Sequence, residues 1–541
     1  MTTEPEAKPV TTRFTASSLL PWAPWGLALV LLAVGFSVWE PFPPGIWHDD
    51  GVYVLLGRSL AEGDGLRYVG VPGAPLAPKF PPLFPLLLSL IWILVPSFPE
   101  NVPFFGAFNL IVTAAASGVF AIFLKKVLKF SAPSALGITA FIWISAHLWR
   151  VASVPLSEPL FLLCLLMALW AGGRMEEKKG YGPVFLFLLA GGCALYARTL
   201  GIAVLAAGVA TLLFTGRRKP AFWAGSGTLA LLLPWMIWAR WAAGTIPESL
   251  LDTLGPYGGW LVGQILHHPS DFAIFLAANA GHLLARVVTL LLPGLPVSPF
   301  LPGIVVAPVL ILGLWELFQR SKILSLTLIF SLGILLVWPF QEIRLLVPFQ
   351  PILMLSMVMG FWRLFHSPRP KKPMRVAVAV VAVVWAGVFS SVSLYRLGTG
   401  WPVEPYRIRS EALLDASRAV RERTPPNAIV GAPELWSGIH LLTGRAVVPS
   451  ARFRPLSGSD PVGGTPEQQY EVWIESGVTH ILVEHGGQVH GAALDRIDAL
   501  CPPGTISVLD TQPGRVLVAL AWDSTCQARV LQSDAGVGDQ D

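Results

Sequence analysis

The sequence is short of charge. Of its 541 residues, 13% are Asp, Glu, Lys or Arg, whereas 53% are hydrophobic. Soluble proteins carry about 25% charged residues, so the composition excludes a soluble protein with an ordinary charged surface. The 21 Trp and 29 Phe residues also favour a membrane protein.

The basic residues do not indicate a nucleic-acid-binding protein, although the net charge is +5 and the pI is about 9.0. They stand in short clusters between apolar stretches, which is the distribution typical of cytoplasmic loops. The clusters are Lys125–Lys129, Arg174–Lys179, Arg217–Lys219, Arg320–Lys322 and Arg363–Arg375. No nucleic acid partner is expected.

The spacing of these clusters predicts the topology. Apolar segments of about 17–25 residues can span a bilayer, and each stretch between two cytoplasmic clusters must cross it an even number of times. Two spans each are predicted in 130–173, 181–215, 220–319 and 323–362, and single spans at 21–39, 103–124 and 374–393. The sequence therefore predicts a polytopic α-helical protein of the cytoplasmic membrane with about eleven transmembrane helices, a cytoplasmic N-terminus and an external C-terminus.

Three regions follow from this topology. A cytoplasmic tail, 1–20, precedes a transmembrane domain, 21–395, which has a first outer loop at 40–102 and a longer one at 243–299. No small-residue cleavage site follows the first apolar stretch, so we expect an anchor rather than a cleaved signal peptide. The inverted repeats found in many transporters are not visible.

Residues 396–541 have the composition of an ordinary soluble protein and are predicted to form an extracytoplasmic α/β domain. Helical and strand-like patterns alternate there. They are Glu411–Arg423, Ala428–Val430, Pro466–Ser476, His480–Glu484, Thr505–Leu509 and Arg515–Ala521.

Cysteine is scarce, with four residues in the chain. Cys164 and Cys193 lie in apolar stretches and are predicted to be small buried side chains. Cys501 and Cys526 lie in the C-terminal domain, in a compartment that permits disulfides if the predicted topology is right. We predict a disulfide between them.

The first outer loop contains an acidic pair. Trp47-His48-Asp49-Asp50 leads into a predicted short helix, Gly51–Ala61. Carboxylates at a helix N-terminus are favoured by the helix dipole, and an Asp there is usually a cap. The alternative interpretation is that the pair has a functional role. The pair follows a membrane span directly, and one cap needs only one Asp.

A lysine stands later in the same loop, within Pro78-Lys79-Phe80-Pro81-Pro82. The apolar run that follows, to about Val95, is short for a span and has no basic flank, so we place it as a helix at the outer interface. Lys79 then lies at the level of lipid headgroups. It either binds a specific phosphate or extends to the phosphate of ordinary lipid.

Further ionisable residues fall in the predicted outer turns and the long outer loop. Such groups at membrane depth are costly and normally face a cavity or a partner. Any single one is explained by a structural Arg–Glu pair, but several on one side of the membrane predict a cavity at the outer leaflet. They are Arg150, Glu158, Arg198, Glu342, Arg344, His267, His268, Asp271, His282 and Arg286.

The order of these motifs resembles the C superfamily of glycosyltransferases, in particular its protein O-mannosyltransferase-related and aminoarabinose-transferase-like branch. The resemblance covers most of residues 20–395. The acidic pair, Tyr53, Glu62-Gly63-Asp64-Gly65 and Lys79 with Pro81-Pro82 carry it in the first loop. Ser157-Glu158-Pro159-Leu160 and Arg344-Leu345-Leu346-Val347-Pro348 carry it later in the chain.

The resemblance implies a transferase that takes its sugar from a polyprenyl-phosphate donor in the outer leaflet and inverts the anomeric carbon. No nucleotide-binding loop is needed, and none is visible. The acceptor remains open among protein, lipid and glycan. The first acidic residue of the family's pair is the general base, which points to Asp49. The family's pair is usually Asp-Glu, so Asp50 also remains a candidate.

The cations and the remaining polar residues complete the predicted site. Lys79, Arg344 and Arg198 are expected to bind the donor phosphate, and Tyr53, Glu158 and His282 are further candidates. In aminoarabinose-transferase-like members an acidic residue that helps to hold a metal precedes the lysine, whereas Pro78 stands there in this chain. No metal or cofactor is therefore expected.

The sequence alone does not exclude three other functions. A transporter or lipid flippase would use the outer ionisable cluster as a substrate path. A lipid-linked glycan polymerase or ligase would also use outer loops, and a scaffold would only present the C-terminal domain.

Overall fold

The computed structural model describes residues 22–535 apart from 257, 295–299, 341, 368–371, 433–434, 451, 454–461, 464–465 and 485–487. The predicted cytoplasmic tail, 1–20, lies outside the described residues. The described chain is mostly helical as far as about residue 400, and a small five-stranded sheet follows.

Helices follow one another closely through the apolar part of the chain. The first are α1 (Ala23–Ser37), α2 (His48–Glu62), α3 (Leu83–Leu94), α4 (Val102–Lys126), α5 (Ala132–Trp143), α6 (Ala146–Ala152), α7 (Glu158–Glu177), α8 (Gly182–Ala197) and α9 (Ile202–Phe214). The next are α10 (Arg218–Ala243), α11 (Leu251–Leu254), α12 (Gly258–His267), α13 (Pro269–Leu291), α14 (Phe300–Arg320), α15 (Lys322–Leu336), α16 (Gln350–His366) and α17 (Lys372–Gly398).

Six helical segments of the described chain are long and apolar enough to cross a membrane, and a seventh is if α5 and α6, bent by 66° at their junction, form one span. They are α4, α7, α10, α13, α16 with its preceding 3₁₀ turn, and α17. A helix lies at each of the eleven predicted positions, but α1, α8, α9 and α15 are shorter. The protein is thus a helical membrane protein, and the number of crossings stays a prediction.

Helix α13 lies within the predicted outer loop, 243–299, and by length and composition it is also long and apolar enough to span a membrane. The side chain of Asn279 on this helix donates hydrogen bonds to the carbonyl oxygens of Leu336 and Trp338, both 3.0 Å away. These acceptors lie at the carboxyl end of α15, just before the turn that carries Glu342 and Arg344. Helix α13 therefore packs beside the segment that enters the candidate site.

The predicted first outer loop, 40–102, contains two short helices that pack against each other. Helix α3 has 12 residues and is about 18 Å long at 1.5 Å per residue, too short to cross a bilayer. A Cβ at Gly57 of α2 would lie 3.0 Å from the Cβ of Leu88 on α3, so the two backbones approach closely there. The indole of Trp92 donates to the carbonyl oxygen of Val54, 3.0 Å away.

The C-terminal part contains helices and a mixed sheet. Its elements are α18 (Glu404–Arg423), β1 (Ile429–Ala432), α19 (Trp436–Thr443), β2 (Ala446–Pro449), the short pair β3 (Arg452–Phe453) and β4 (Val462–Gly463), α20 (Pro466–Glu475), β5 (His480–Glu484), α21 (Gln488–Leu500), β6 (Ile506–Gln512), β7 (Arg515–Leu520) and α22 (Ser524–Ala535). The strand order in the sheet is β2-β1-β5-β7-β6. Strands β2, β1 and β5 are parallel, and β7 and β6 are antiparallel to their neighbours.

Several sequence-based predictions for this part are confirmed. The strand His480–Glu484 has the predicted bounds, and the helix predicted from Pro466 ends one residue earlier, at Glu475. Cys501 and Cys526 form a disulfide, with Cα atoms 5.3 Å apart. Helix α19 and strand β2 were not predicted.

Candidate active site

The structure gives the two adjacent carboxylates different surroundings. Asp50 is fully buried, and its two oxygens accept the backbone N–H groups of Gly45, at 3.1 Å, and Trp47, at 2.9 Å. Burial raises the pKa of Asp50 to about 7, against the effect of these hydrogen bonds. Asp50 therefore has the contacts of a helix cap that closes the start of α2.

Asp49 points to a guanidinium instead. Its Oδ2 lies 2.7 Å from Nη2 of Arg344, and the two side chains are 19% and 17% exposed. Burial raises the pKa of Asp49, but the positive charges of Arg344 and Lys79 outweigh it and hold the pKa well below its usual range. Asp49 is therefore an ionised carboxylate that is mostly buried and paired with Arg344.

Arg344 and Arg198 share a buried carboxylate at the N-terminus of α7. Glu158 is 1% exposed, and its Oε1 lies 2.8 Å from Nη1 of Arg198 and 3.8 Å from Nη1 of Arg344. Arg344 also pairs with Glu342 through Nε. Nη1 of Arg198 donates to the hydroxyl of Ser157 at 3.1 Å. Two guanidiniums and three carboxylates thus form one network.

Tyr53 contacts both this network and the segment that follows Lys79. Its hydroxyl and that of Ser157 are 2.8 Å apart and hydrogen-bonded. Its ring packs edge-on against Phe80 and Phe84, with centroids 5.0 Å and 4.9 Å away. Burial raises the pKa of Tyr53, so the phenol stays protonated.

Lys79 lies close enough to Asp49 and Arg344 for their charges to act on it. Its Nζ donates to the carbonyl oxygen of Thr253, 3.2 Å away. Burial lowers the pKa of Lys79 to about 8, with the Asp49 carboxylate opposing the shift and Arg344 adding to it. Lys79 therefore stays mainly cationic at neutral pH.

The structure thus brings together Asp49, Lys79, Arg198 and Arg344 with Tyr53 and Glu158. His282 is not among them, because it is exposed on α13 and makes none of these contacts. Within the described residues, no group of three or more His, Cys, Asp or Glu side chains is arranged to hold a metal ion.

One contact of this region, between two residues, was missed by sequence reasoning. Nδ1 of His48 accepts a hydrogen bond from the indole of Trp436, 3.3 Å away. His48 had a signal, since it immediately precedes Asp49. Trp436 had none, because it lies 388 residues further along the chain.

Comparison with known proteins gives a fold but no sequence family. No family model and no curated protein sequence matches the chain. Among solved structures, ArnT from Cupriavidus metallidurans in the apo state matches with a TM-score of 0.54 at 14% identity, covering 93% of this chain and 98% of that one. The same protein bound to undecaprenyl phosphate matches with a TM-score of 0.53 at 15% identity, with the same coverage.

A further match, arabinofuranosyltransferase AftD from Mycobacteria, has a TM-score of 0.42 at 14% identity and covers 94% of this chain and 42% of that one, which is too low to argue from. The resemblance predicted from the motif order is confirmed at the level of structure. The chain has the fold of ArnT, an aminoarabinose transferase of the C superfamily of glycosyltransferases.

Proposed function

We propose that this protein is a membrane glycosyltransferase that moves a sugar from a polyprenyl-phosphate donor to an acceptor on the outer face of the cytoplasmic membrane. The observation that carries the proposal is the contact between the ionised carboxylate of Asp49 and the guanidinium of Arg344, 2.7 Å apart. The proposal is supported because sugar transfer from a lipid phosphate needs a group that accepts a proton and a cation that stabilises phosphate, and a carboxylate and a guanidinium can serve as these two groups.

The cations provide the donor site. Lys79, Arg198 and Arg344 come from three separate segments and lie close to the carboxylates of Asp49 and Glu158. Nη1 of Arg344 is buried and donates no hydrogen bond within the described part of the chain. A guanidinium binds phosphate oxygens with two parallel hydrogen bonds, so Arg344 has donor capacity left for a lipid phosphate.

Asp49 is the proposed general base. The hydroxyl or amine of the acceptor gives its proton to the Asp49 carboxylate while its oxygen or nitrogen forms a bond to the anomeric carbon. The bond from that carbon to the phosphate oxygen breaks, and its electron pair leaves with the polyprenyl phosphate. A single displacement of this kind inverts the anomeric carbon. Cations at the phosphate stabilise the charge that grows there.

Binding of the donor should also change the pKa of Asp49. In the structure, Arg344 is shared among Asp49, Glu158 and Glu342. A phosphate that takes hydrogen bonds from Arg344 weakens its pairing with Asp49, and the pKa of Asp49 then rises toward its usual range. Donor binding would thus make the Asp49 carboxylate a stronger base than it is in the free protein.

The fold comparison supports this donor class, because one of the matching ArnT structures holds undecaprenyl phosphate. We place the N-terminus in the cytoplasm and the C-terminal domain outside, as the basic clusters predict.

The test is mass spectrometry of cell-envelope glycoconjugates from cells that carry the protein, lack it, or carry the Asp49→Asn variant. We expect a sugar modification that is present only with the unchanged protein. Identical glycoconjugates in all three strains would contradict the proposal.

A further inference from the structure

The C-terminal domain rests directly on the start of helix α2. The contact is made through glycines: a Cβ at Gly45 would lie 2.3 Å from the Cα of Gly438, and one at Gly51 would lie 2.3 Å from Oγ of Ser437. Side chains at these positions would separate α19 from α2. The two glycines therefore allow α19 to pack directly against the helix that carries Asp49.

One hydrogen bond crosses this interface close to the candidate base. Trp436, the first residue of α19, is fully buried and donates its indole N–H to Nδ1 of His48 at 3.3 Å. The ring of Tyr68 packs edge-on against Trp436, with centroids 6.3 Å apart. The hydroxyl of Tyr68 in turn donates to the carbonyl oxygen of Leu254 at 3.1 Å. The contacts with His48 and with Tyr68 thus fix the orientation of the Trp436 ring.

This bond determines the protonation state of His48. An indole N–H can only donate, so Nδ1 of His48 must be the unprotonated nitrogen. The proton of the neutral ring is then on Nε2, and the imidazolium form, which has no acceptor, is incompatible with the bond. Such control of a histidine tautomer by its second nitrogen is a general device in active sites.

The charges that face His48 come from three elements. Asp49 belongs to its own helix, Lys79 to the segment before α3, and Arg344 to the turn before α16, whereas α19 presents the uncharged Trp436 and Ser437. Burial lowers the pKa of His48 to about 4; Asp49 opposes this shift, and the two cations add to it. The neutral ring that the hydrogen bond requires is therefore also the one that burial favours.

We propose that Trp436 is a positioning residue of the active site, which holds His48 as a neutral Nε2–H donor beside Asp49 to orient the acceptor. An acceptor hydroxyl has two lone pairs, so it can accept a hydrogen bond from Nε2 of His48 with one of them while the other attacks the anomeric carbon and its proton passes to Asp49. The C-terminal domain then contributes a positioning residue, Trp436, to the active site. This inference rests on the proposed function.

The test is Trp436→Phe, which keeps an aromatic ring and removes the N–H. Loss of one oriented hydrogen bond should lower kcat/KM roughly tenfold. Without the indole N–H, Nδ1 is free to take a proton, so the acid limb of the pH profile should move to higher pH. Trp473→Phe is the matched control: Trp473 is also a fully buried Trp of the same domain, and its indole nitrogen has no hydrogen-bond partner among the described residues. It should leave the profile unchanged.

A double-mutant cycle separates positioning from general stability. In a His48→Gln background, Trp436→Phe should cause less than about a twofold further loss, because its effect passes through His48. Losses that multiply, or a Trp436→Phe variant indistinguishable from Trp473→Phe, would overturn the inference. If the unchanged protein transfers no sugar, the proposed function itself fails, which is a different result.

Discussion

Nη2 of Arg344 lies 2.7 Å from Oδ2 of Asp49, while other nitrogens of the same guanidinium face Glu158 and Glu342. One arginine therefore connects the proposed base to two further carboxylates from other segments. On the proposed function, a lipid phosphate that binds Arg344 would compete with all three carboxylates for this guanidinium. Donor binding and the proposed base would then be coupled through a single side chain.

Substitution of the cations should affect the donor first. We expect Lys79→Ala to raise the KM for the polyprenyl-phosphate donor, because it removes a charge from the phosphate. Arg344→Lys should show the same effect, since one ammonium does not reproduce two parallel hydrogen bonds to phosphate. Arg58→Ala is the control, because Arg58 is 39% exposed and pairs with Glu62 on the surface of α2. Unchanged donor KM values in Lys79→Ala and Arg344→Lys would remove these residues from the donor site.

Glu158 should matter for stability as well as for activity. It is 1% exposed and faces both Arg198 and Arg344. Removing one partner of a buried ion pair typically costs about 3–5 kcal/mol, because the other charge stays buried without compensation. Thermal unfolding in detergent should therefore show a large loss for Glu158→Gln. Glu62→Gln, on the exposed surface, should change stability by less than about 1 kcal/mol, and equal effects of the two variants would argue against a buried network.

The disulfide should stabilise the C-terminal domain. Cys501 and Cys526 are 25 residues apart in sequence, and closing a loop of this size contributes about 3 kcal/mol in the chain-entropy model. We expect a shift in gel mobility on reduction, and thiol labelling of both residues only after reduction. Labelling of both cysteines in the unreduced protein would contradict the bond.

The predicted topology can be tested by reporter fusions. Fusions after residues 128, 217, 322 and 372 should report the cytoplasm, because each follows a basic cluster or lies within one. A fusion near residue 400 should report the outside. A cytoplasmic signal there would move the C-terminal domain, with Trp436 and the disulfide, away from the outer face.

The sequence predicted much of the site because its motifs stand at helix ends on one side of the apolar helices. Asp49 opens α2, Glu158 opens α7 and Arg198 follows α8 directly, so an alternating topology places them together. The resemblance pointed to Asp49 and kept Asp50 as a candidate, but the different surroundings of the two carboxylates were not predictable, because both residues are aspartates at the same helix N-terminus. These surroundings depend on where the loop places the N–H groups of Gly45 and Trp47.

Other features depend on contacts that local patterns do not show. Helix α18 begins at Glu404, seven residues before the predicted start, because Pro405 is tolerated in the first turn of a helix. Helix α19 has only eight residues and β2 only four, too few for a clear periodicity. The Trp436–His48 bond joins residues 388 positions apart, and no sequence pattern indicates it.

The most direct test of the account is the rate of sugar transfer by Asp49→Asn, measured beside Asp50→Asn. The capping contacts at the start of α2 are made by Asp50, so Asp49→Asn should leave the helix intact. Asp50→Asn replaces one acceptor oxygen by an NH2 group and should lower the stability of the helix start, so transfer is compared at equal amounts of folded protein. A general base contributes roughly 10²–10⁴-fold to the rate. We predict a loss of that size for Asp49→Asn at near-normal expression, and a much smaller loss for Asp50→Asn. Full transfer activity in Asp49→Asn would contradict the assignment of Asp49 as the base.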